Sequence, residues 1–213
     1  MRLQRFEFNY FGENTYLMWD DASGEAAIVD PGMMNKSEED ILDTFISRHN
    51  LHPQYILLTH AHVDHTLGVD HLKAKYCIEV LAHKADAQLA MIRDKQASMF
   101  HMPVKTSSLE IDKFIDARNV LHLGSEEIRV IETPGHSRGG ICFYLPESGF
   151  ILTGDTIFQH SIGRTDFPEG NGHQLIESIR TQLLSLPDDT VIFPGHGPST
   201  TIGDEKMGNP FLQ

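Results

Sequence analysis

The sequence predicts an α/β fold in which helices and strands alternate and form layers. The first observation is a β-α-β step, in which an apolar run at Glu25–Val29 is followed by a helical pattern from Ser37 and a second apolar run at Tyr55–Leu58. The second is the alternation of apolar and polar residues through Arg2–Asn9, which favours an opening antiparallel meander. The third is a strand–helix pattern that returns in the second half of the chain, which favours two similar halves facing each other.

Each element of the first half has a local justification. The meander continues through Asn14–Trp19 and Glu25–Val29, which repeat the alternation. Ser37 is predicted to cap the helix, because an acidic first turn and an apolar stripe at helical spacing follow it, and Asn50 is predicted to close it. Tyr55–Leu58 is short and continuously apolar, as expected for a strand buried on both faces.

The later elements follow from the same rules. Helices are predicted at Thr66–Lys75, within Lys84–Met102 and at Gln174–Leu184. Strands are predicted at Cys77–Leu81, Asn119–Leu123, Ile128–Glu132, Gly139–Leu145, Phe150–Thr153 and Val191–Phe193. The second helical stretch carries Met91, Met99, Phe100 and Met102. We interpret these side chains as core filling, with part of a substrate mouth as the alternative.

Length and composition narrow the class of protein. With 213 residues, 40% apolar and 22% charged, the chain is expected to form one soluble domain over residues 1–213. A formal charge of −13 argues against a nucleic-acid surface. No signal-peptide pattern and no bilayer-spanning apolar run is found, which predicts a cytoplasmic protein with no membrane partner. The expected partner is a small-molecule substrate, and the oligomeric state is left open. Cys77 and Cys142 lie in apolar strand-like runs and are predicted to be buried free thiols.

The chemistry is concentrated in Thr59–His65, directly after the buried strand. Residues i and i+2 of an extended stretch point to the same side, so His60 and His62 can converge on one point. Asp64 and His65 lie where the chain can curl towards a second point. Imidazole and carboxylate ligands without thiolates suit zinc, iron or manganese. Solvated loop histidines are the alternative, and they do not account for four ligand-type residues at this spacing.

Three more turns each end an apolar strand with a histidine or an aspartate. They are Pro134-Gly135-His136, Gly154-Asp155-Thr156 and Pro194-Gly195-His196. Strands that end along one edge would bring these turns to the 60–65 segment. The resulting seven ligands are too many for one tetrahedral ion and suit two. We assign His60, His62 and His136 to a first metal, Asp64, His65 and His196 to a second, and Asp155 to a shared position between them.

These motifs resemble the metallo-β-lactamase superfamily in their order and separations, from Asn14 to the C-terminus. Within it, the chain resembles the short single-domain members of the glyoxalase II (hydroxyacylglutathione hydrolase) branch, through Gly154–Phe158, Ser161–Asp166 and Pro194–Pro198. The resemblance implies a four-layer αββα sandwich and supports the seven ligands residue by residue. It also implies two divalent metal ions, usually zinc and sometimes iron or manganese.

The resemblance further implies a metal-dependent hydrolase of thioesters such as S-lactoylglutathione or a related acyl-thiol. A hydroxide bridging two cations would attack the thioester carbonyl, since the pKa of bound water falls to about 7. Asp64 would be catalytic by orienting that hydroxide as well as binding the second metal. Full-length glyoxalase II resembles this chain but continues into a helical region that holds glutathione. This chain stops soon after His196, so the expected thiol carrier stays open.

The main alternative is a persulfide dioxygenase with the same ligands and a single iron. Members of that group tend to have alanine before the last histidine ligand, whereas this chain has Gly195 before His196, which favours the hydrolase. The charge of −13 counts against a nuclease, and the missing export signal counts against a β-lactamase. A purely structural zinc site would favour a closed set that contains cysteine.

Three further side chains are each open to two interpretations. Asp30 follows a buried strand, where its side chain either caps a turn or supports a ligand histidine. Arg164 is expected to pair with Asp166 rather than bind a substrate carboxylate. Arg138 fits either role.

Overall fold

The computed structural model describes all 213 residues and contains two six-stranded β-sheets and a two-stranded one. The strands of the first sheet, in spatial order, are β1 (Arg2–Phe8), β2 (Glu13–Trp19), β3 (Glu25–Val29), β4 (His52–Leu57), β5 (Glu79–Ala82) and β6 (Lys113–Phe114). Those of the second are β14 (Thr200–Thr201), β13 (Val191–Pro194), β10 (Phe150–Gly154), β9 (Ile141–Leu145), β8 (Glu126–Glu132) and β7 (Val120–Leu123). The small sheet pairs β11 (Ile157–Phe158) with β12 (Ser161–Ile162).

The helices are short apart from the first. They are α1 (Lys36–Arg48), α2 (Val69–Tyr76), α3 (Ala87–Met91), α4 (Arg93–Met99), α5 (Gly172–Ser178) and α6 (Ile202–Gly208). Single 3₁₀ turns cover Val63–His65 and Lys84–Asp86, and α5 continues as a π-helical segment over Ile179–Leu183. None of these helices has the length and apolar character needed to cross a membrane.

Three apolar clusters follow one another through the molecule and separate four layers. The inner cluster contains side chains of both large sheets, such as Met18 of β2 and Phe143 of β9. A second cluster joins the outer face of the first sheet, including Leu17, to α1 and α2. The third joins the outer face of the second sheet, including Cys142, to α5 and α6. Neighbours along β2 and β9 thus point to opposite buried faces, and the predicted αββα sandwich is confirmed.

The strand directions explain why the predicted turns can meet. β3 and β4 pair in parallel, with Val29 opposite Leu57, after a crossover through α1. In the second sheet, β10 is parallel to β13, and both β8 and β10 run antiparallel to the β9 strand between them. The strands β8, β10 and β13 therefore end at the same edge of their sheet.

Two local predictions are wrong at their boundaries. Asn35, not Ser37, caps α1, and its side chain accepts a hydrogen bond from the Glu38 amide at 3.1 Å. Both residue types cap well, and the earlier one occupies the position where the backbone is still extended. Cys77 does not begin a buried strand. It ends α2 with a left-handed φ of 56° and is exposed, whereas Cys142 is buried as predicted.

The methionine-rich stretch is only partly core. Met102 is buried, but Met91 and Met99 are 56% and 61% exposed, so the core-filling interpretation is wrong for these two. The helical pattern breaks at Ile92, which caps two short helices and leaves both methionines on the outside. Phe100, at the end of α4, lines the cavity described below, as the alternative interpretation expected.

Candidate metal centre

The four predicted turns meet where β4, β8, β10 and β13 end. Three atom pairs join the later turns to the 60–65 segment: His136 Nε2 lies 2.8 Å from His62 Nδ1, Asp155 Oδ1 lies 3.5 Å from His65 Nε2, and His196 Nε2 lies 3.4 Å from Asp64 Oδ2. The His60 ring centroid is 4.2 Å from that of His65. The structure therefore brings together all seven residues singled out from the sequence.

Three groups of three side chains present atoms that could hold a cation. The first group consists of His60, His62 and His136, and the second consists of Asp64, His65 and His196. Asp30, His60 and His65 form the third, which shares one histidine with each of the other two. Within each group the candidate ligand atoms lie within 4.8 Å of one another. Two ligands of a tetrahedral zinc ion, each about 2.0–2.2 Å from the metal, are roughly 3.4 Å apart. The first and second groups coincide with the two sets assigned from the sequence, whereas the third includes Asp30, which was not assigned as a ligand.

Asp155 lies between the two groups. Its Oδ2 is 3.6 Å from His136 Nε2 in the first group and 3.7 Å from His196 Nε2 in the second, and its Oδ1 faces His65. Gly154, which precedes it, has a left-handed φ of 49°, and a side chain there would collide with Thr59. The chain therefore needs glycine at this turn to aim the carboxylate inward.

Each histidine is oriented by a contact at the ring nitrogen that faces away from the centre. The pairs are His60 Nδ1 with Thr59 Oγ1 at 3.1 Å, His62 Nε2 with Glu169 Oε1 at 3.1 Å, His65 Nδ1 with Asp30 Oδ2 at 3.2 Å, His136 Nδ1 with the Arg164 carbonyl at 2.7 Å, and His196 Nδ1 with the Phe11 carbonyl at 3.1 Å. Such partners fix both the ring orientation and the tautomer of a ligating histidine.

Three of the atoms that face the centre lack hydrogen-bond partners, which tests whether a cation fits. Nε2 of His60, Nε2 of His65 and Oδ1 of Asp155 are buried and form no hydrogen bond. Buried polar atoms are nearly always satisfied in folded proteins. A divalent cation would satisfy all three, and five imidazoles with two carboxylates and no thiolate suit zinc, iron or manganese. The donor set therefore fits a metal centre.

The pKa shifts of the histidines differ between the first and second groups. Burial, reinforced by neighbouring histidines, holds the pKa of His60 well below its usual range, and burial also lowers the pKa of His136. Burial opposes protonation of His65 as well, but Asp64 and Asp155 outweigh it and raise the pKa of His65 well above its usual range. In the second group, the His196 pKa is likewise raised by its bond to Asp64 against the effect of burial. Burial thus favours the neutral form of His60 and His136 in the first group, whereas the carboxylates favour the protonated form of His65 and His196 in the second.

Asp30 supports a candidate ligand, which resolves its two interpretations. Its carboxylate accepts hydrogen bonds from the Thr59 amide at 2.7 Å and the Thr59 hydroxyl at 2.5 Å, and it contacts His65. The residue is buried and has a left-handed φ of 49°, which is uncommon outside glycine. The unusual backbone turns the carboxylate from β3 across to the loop that follows β4.

Asp86 is a buried residue that the sequence did not single out. Its Oδ2 accepts hydrogen bonds from the Ala61 amide at 3.0 Å and the Ser137 hydroxyl at 2.8 Å, and its Oδ1 accepts one from the Gly139 amide at 2.6 Å. The carboxylate therefore connects the loop of His60 to the loop that follows His136. A lone aspartate in a helical stretch carries no sequence signal for this role, because both partners are distant along the chain.

Glu13 is the other acid that the sequence did not reveal. It is fully buried, its Oε1 lies 3.9 Å from His65 Nδ1, and burial holds the pKa of its carboxyl well above the usual range. Its Oε2 accepts a hydrogen bond from the Thr15 hydroxyl at 2.8 Å. It lies behind the ring of His65, on the side away from the cavity.

A cavity of about 390 Å³ opens onto the centre. It is lined by Phe11, His62, Asp64, Phe100, His136, Asp155, Phe158, Ser161, Ile162, Arg164, Phe167 and His196. Arg164 bonds Asp166 through two nitrogens, each at 2.7 Å, as expected from the sequence. Arg138 is exposed and forms no ion pair.

The fold and these motifs have counterparts in known proteins. Residues 9–196 match the family model of the metallo-β-lactamase superfamily. The hydroxyacylglutathione hydrolase GloC of Haemophilus influenzae is 38% identical over 213 residues, which cover 100% of this chain and 98% of the relative. Among solved structures, the BLEG-1 B3 metallo-β-lactamase superposes with a TM-score of 0.90 at 33% identity, covering 100% of both chains. The structure of TTHA1623 in a di-iron-bound form superposes with a TM-score of 0.87 at 32% sequence identity, covering 98% of this chain and 100% of that one. This chain belongs to the metallo-β-lactamase superfamily.

Proposed function

We propose that this chain is a binuclear metal-dependent hydrolase of thioesters, with S-lactoylglutathione or a related acyl-thiol as its substrate. The observation that carries the proposal is the position of the Asp155 carboxylate. Its Oδ1 faces His65 of the second group, and its Oδ2 lies 3.6 Å from His136 of the first group and 3.7 Å from His196 of the second. A carboxylate in that position suits two cations that share a ligand. The relative named hydroxyacylglutathione hydrolase supports the substrate class.

The two groups would hold one cation each, with Asp155 between them. When bound, the cations polarise a carbonyl oxygen and lower the pKa of water at the site to about 7. We propose zinc, with iron or manganese as alternatives. The donor set accepts all three metals, and the solved relative in a di-iron-bound form supports both the pair of ions and the iron alternative.

The chain's own residues would position the reacting groups. Asp64 lines the cavity, and although burial favours its neutral form, His65 and His196 outweigh that effect and hold the pKa of its carboxyl well below the usual range. It is therefore an ionised acceptor that can orient the attacking water. The thiolate is a good leaving group, so the reaction does not require a proton donor of its own in the cavity.

Gly195 favours this proposal over a dioxygenase with one iron. A Cβ at this position would overlap Asp155 Oδ1 and lie 2.8 Å from His65 Cε1. Alanine here would therefore crowd the shared ligand and the second group, whereas glycine leaves both free. The absence of that methyl group is consistent with two cations.

Metal analysis combined with a substrate panel tests the proposal. We expect the purified protein to hold two divalent ions per chain and to hydrolyse S-lactoylglutathione, with the thiol released measured by absorbance. An Asp155→Asn variant should lose at least tenfold in metal affinity or activity, while Asp189→Asn, at an exposed aspartate, should not. Nitrocefin hydrolysis as the main activity would instead indicate a β-lactamase. One iron per chain, thiol-dependent oxygen uptake and no turnover of any thioester would establish the dioxygenase.

A further inference from the structure

Four phenylalanines from four different segments surround the mouth of the cavity, and we call them the aromatic collar. They are Phe11 in the β1–β2 turn, Phe100 after α4, Phe158 on β11 and Phe167 in the loop before α5. The Phe100 ring lies edge-on to both Phe11 and Phe167, with centroids 5.8 Å and 6.0 Å apart. Edge-to-face packing of this kind gives the rings fixed positions.

Two rings of the aromatic collar lie next to candidate metal ligands, one in each group. The Phe167 ring is 5.4 Å from the His62 ring in the first group, and the Phe158 ring is 6.3 Å from the His196 ring in the second. A group held between these rings would therefore lie beside His62 and His196, which would each hold a cation. Phe11 is 45% exposed, and the other three rings are half-buried. This apolar surface faces open space in a cavity, which is typical of a ligand site.

The charged side chains that line the cavity also favour an uncharged ligand. Arg164 is the one basic residue among those that line the cavity besides the histidines. Both Asp166 oxygens occupy its guanidinium, which lies over the Phe167 ring at 4.2 Å. The remaining lining charges are the carboxylates of Asp64 and Asp155. Apart from the candidate metal ligands, the walls thus offer no unpaired basic side chain to a substrate carboxylate.

We infer that the substrate carries a bulky, uncharged apolar group, aromatic or branched, within one or two bonds of its thioester and packed in the collar. This inference depends on the proposed thioesterase function and narrows its substrate class from S-lactoylglutathione to those related acyl-thiols that carry such an apolar group. In the reaction, water adds to the carbonyl carbon and the carbon–sulfur bond breaks. One proton of the water passes to the departing thiolate, leaving a carboxylic acid and a thiol.

The test compares thioesters that differ in one feature at a time. With N-acetylcysteamine as a neutral thiol, the acyl groups are acetyl, phenylacetyl and succinyl. With acetyl as the acyl group, the thiols are N-acetylcysteamine, benzyl mercaptan and glutathione. We expect kcat/KM for at least one aromatic substrate to exceed that of acetyl-N-acetylcysteamine by about tenfold or more, since each apolar group added to a fitted pocket discriminates on that scale. The succinyl thioester should gain nothing over the acetyl one.

Substitutions then assign the preference to the collar. Phe11→Ala and Phe100→Ala should each reduce the aromatic-to-acetyl ratio by about fivefold to tenfold, and Phe11→Leu, which retains bulk, should reduce it less. Phe114→Ala is the matched control, because Phe114 is 48% exposed on β6 and does not line the cavity. Asp166→Asn frees Arg164 and should raise turnover of the succinyl thioester alone. Calorimetry with a non-hydrolysable benzyl thioether measures binding directly in each variant.

The outcomes separate this inference from the proposed function. If the acetyl, phenylacetyl, benzyl and succinyl substrates are hydrolysed at similar rates, the thioesterase proposal stands and the collar inference fails. A preference that survives both phenylalanine-to-alanine changes also overturns the inference. If no thioester is hydrolysed by protein holding its metal ions, the proposed function itself fails.

Discussion

The carboxylate of Asp86 accepts a hydrogen bond from the Ser137 hydroxyl at 2.8 Å, one residue after His136. The same carboxylate accepts bonds from the backbone amides of Ala61 and Gly139. Ala61 lies between His60 and His62, so one buried side chain sets the distance between the two loops that supply the first group. Hydrogen bonds to a charged group are worth about 1.5–3 kcal/mol each.

Replacing Asp86 should weaken the first metal position. Asp86→Ala leaves buried donors unsatisfied, and Asp86→Asn places an NH₂ group against an amide that needs an acceptor. We expect one cation to bind about 10–100-fold more weakly in both variants, measured by competition with a chromophoric chelator. Asp94→Asn, at an exposed aspartate on α4, is the control. Unchanged affinity for both ions in a folded Asp86→Asn protein would contradict this role.

Gly195→Ala should change the number of metal ions. The added methyl group would overlap Asp155 and lie 2.8 Å from His65 Cε1, so the second group loses its shape, while no histidine atom of the first group is among the three atoms nearest to the methyl group. We expect metal analysis to fall from two ions per chain towards one, with the hydrolytic rate reduced accordingly. Gly172→Ala serves as the control, because the nearest atom to a Cβ there is the Thr165 hydroxyl at 3.1 Å. Two tightly bound ions in Gly195→Ala would show that the methyl group is accommodated.

Loading with a cation should stabilise the protein more at pH 8 than at pH 6. In the metal-free protein the raised pKa of His65 contributes stability that is present at low pH and is lost as the pH rises through that pKa. A cation must displace the same proton, so its binding strengthens as the pH rises. At a hundredfold excess over Kd, binding adds about 2.7 kcal/mol, or roughly 5–11 °C in Tm at this size. Thermal melts with and without chelator at both pH values measure the difference, and an equal gain at each would contradict the assignment.

One thiol of two should react in the folded protein. Cys77 is exposed at the end of α2, whereas Cys142 is buried between the second sheet and its helices, and burial raises the pKa of its thiol to about 11. A disulfide reagent at pH 8 should therefore titrate one group in native protein and both in denaturant. Cys77→Ser should abolish the fast reaction. Rapid labelling of Cys142 in native protein would indicate that the third apolar cluster opens.

The candidate ligands were predictable because each lies in a short sequence pattern that can be recognised without knowledge of the fold. In all four cases a strand is followed by a turn and then by a residue with ligand chemistry, and parallel strand directions bring such turns to one edge. His60 and Asp155 illustrate this, since both follow buried strands. What orients the ligands was harder to foresee. Asp86 and Glu169 act on residues far away along the chain, and their partners depend on how the two sheets face each other.

Boundary errors had a different physical origin. Asn35 and Ser37 have nearly equal intrinsic preferences for the N-cap position, and the helix begins after Asn35. Cys77 was placed in a strand because the residues after it are apolar, yet it occupies the left-handed position that ends a helix.

The first and second groups each take side chains from both large sheets, two from the loop after β4 and one from the opposite half. Neither half can complete the first or the second group alone, so a cation bound in either of them would hold the halves to each other. A chain divided in the exposed turn between β6 and β7, at Ala117-Arg118, would yield one fragment with two donors per group and another with one. The reassembly of those fragments would follow the concentration of free cation, and the split protein would act as a metal-dependent complementation pair.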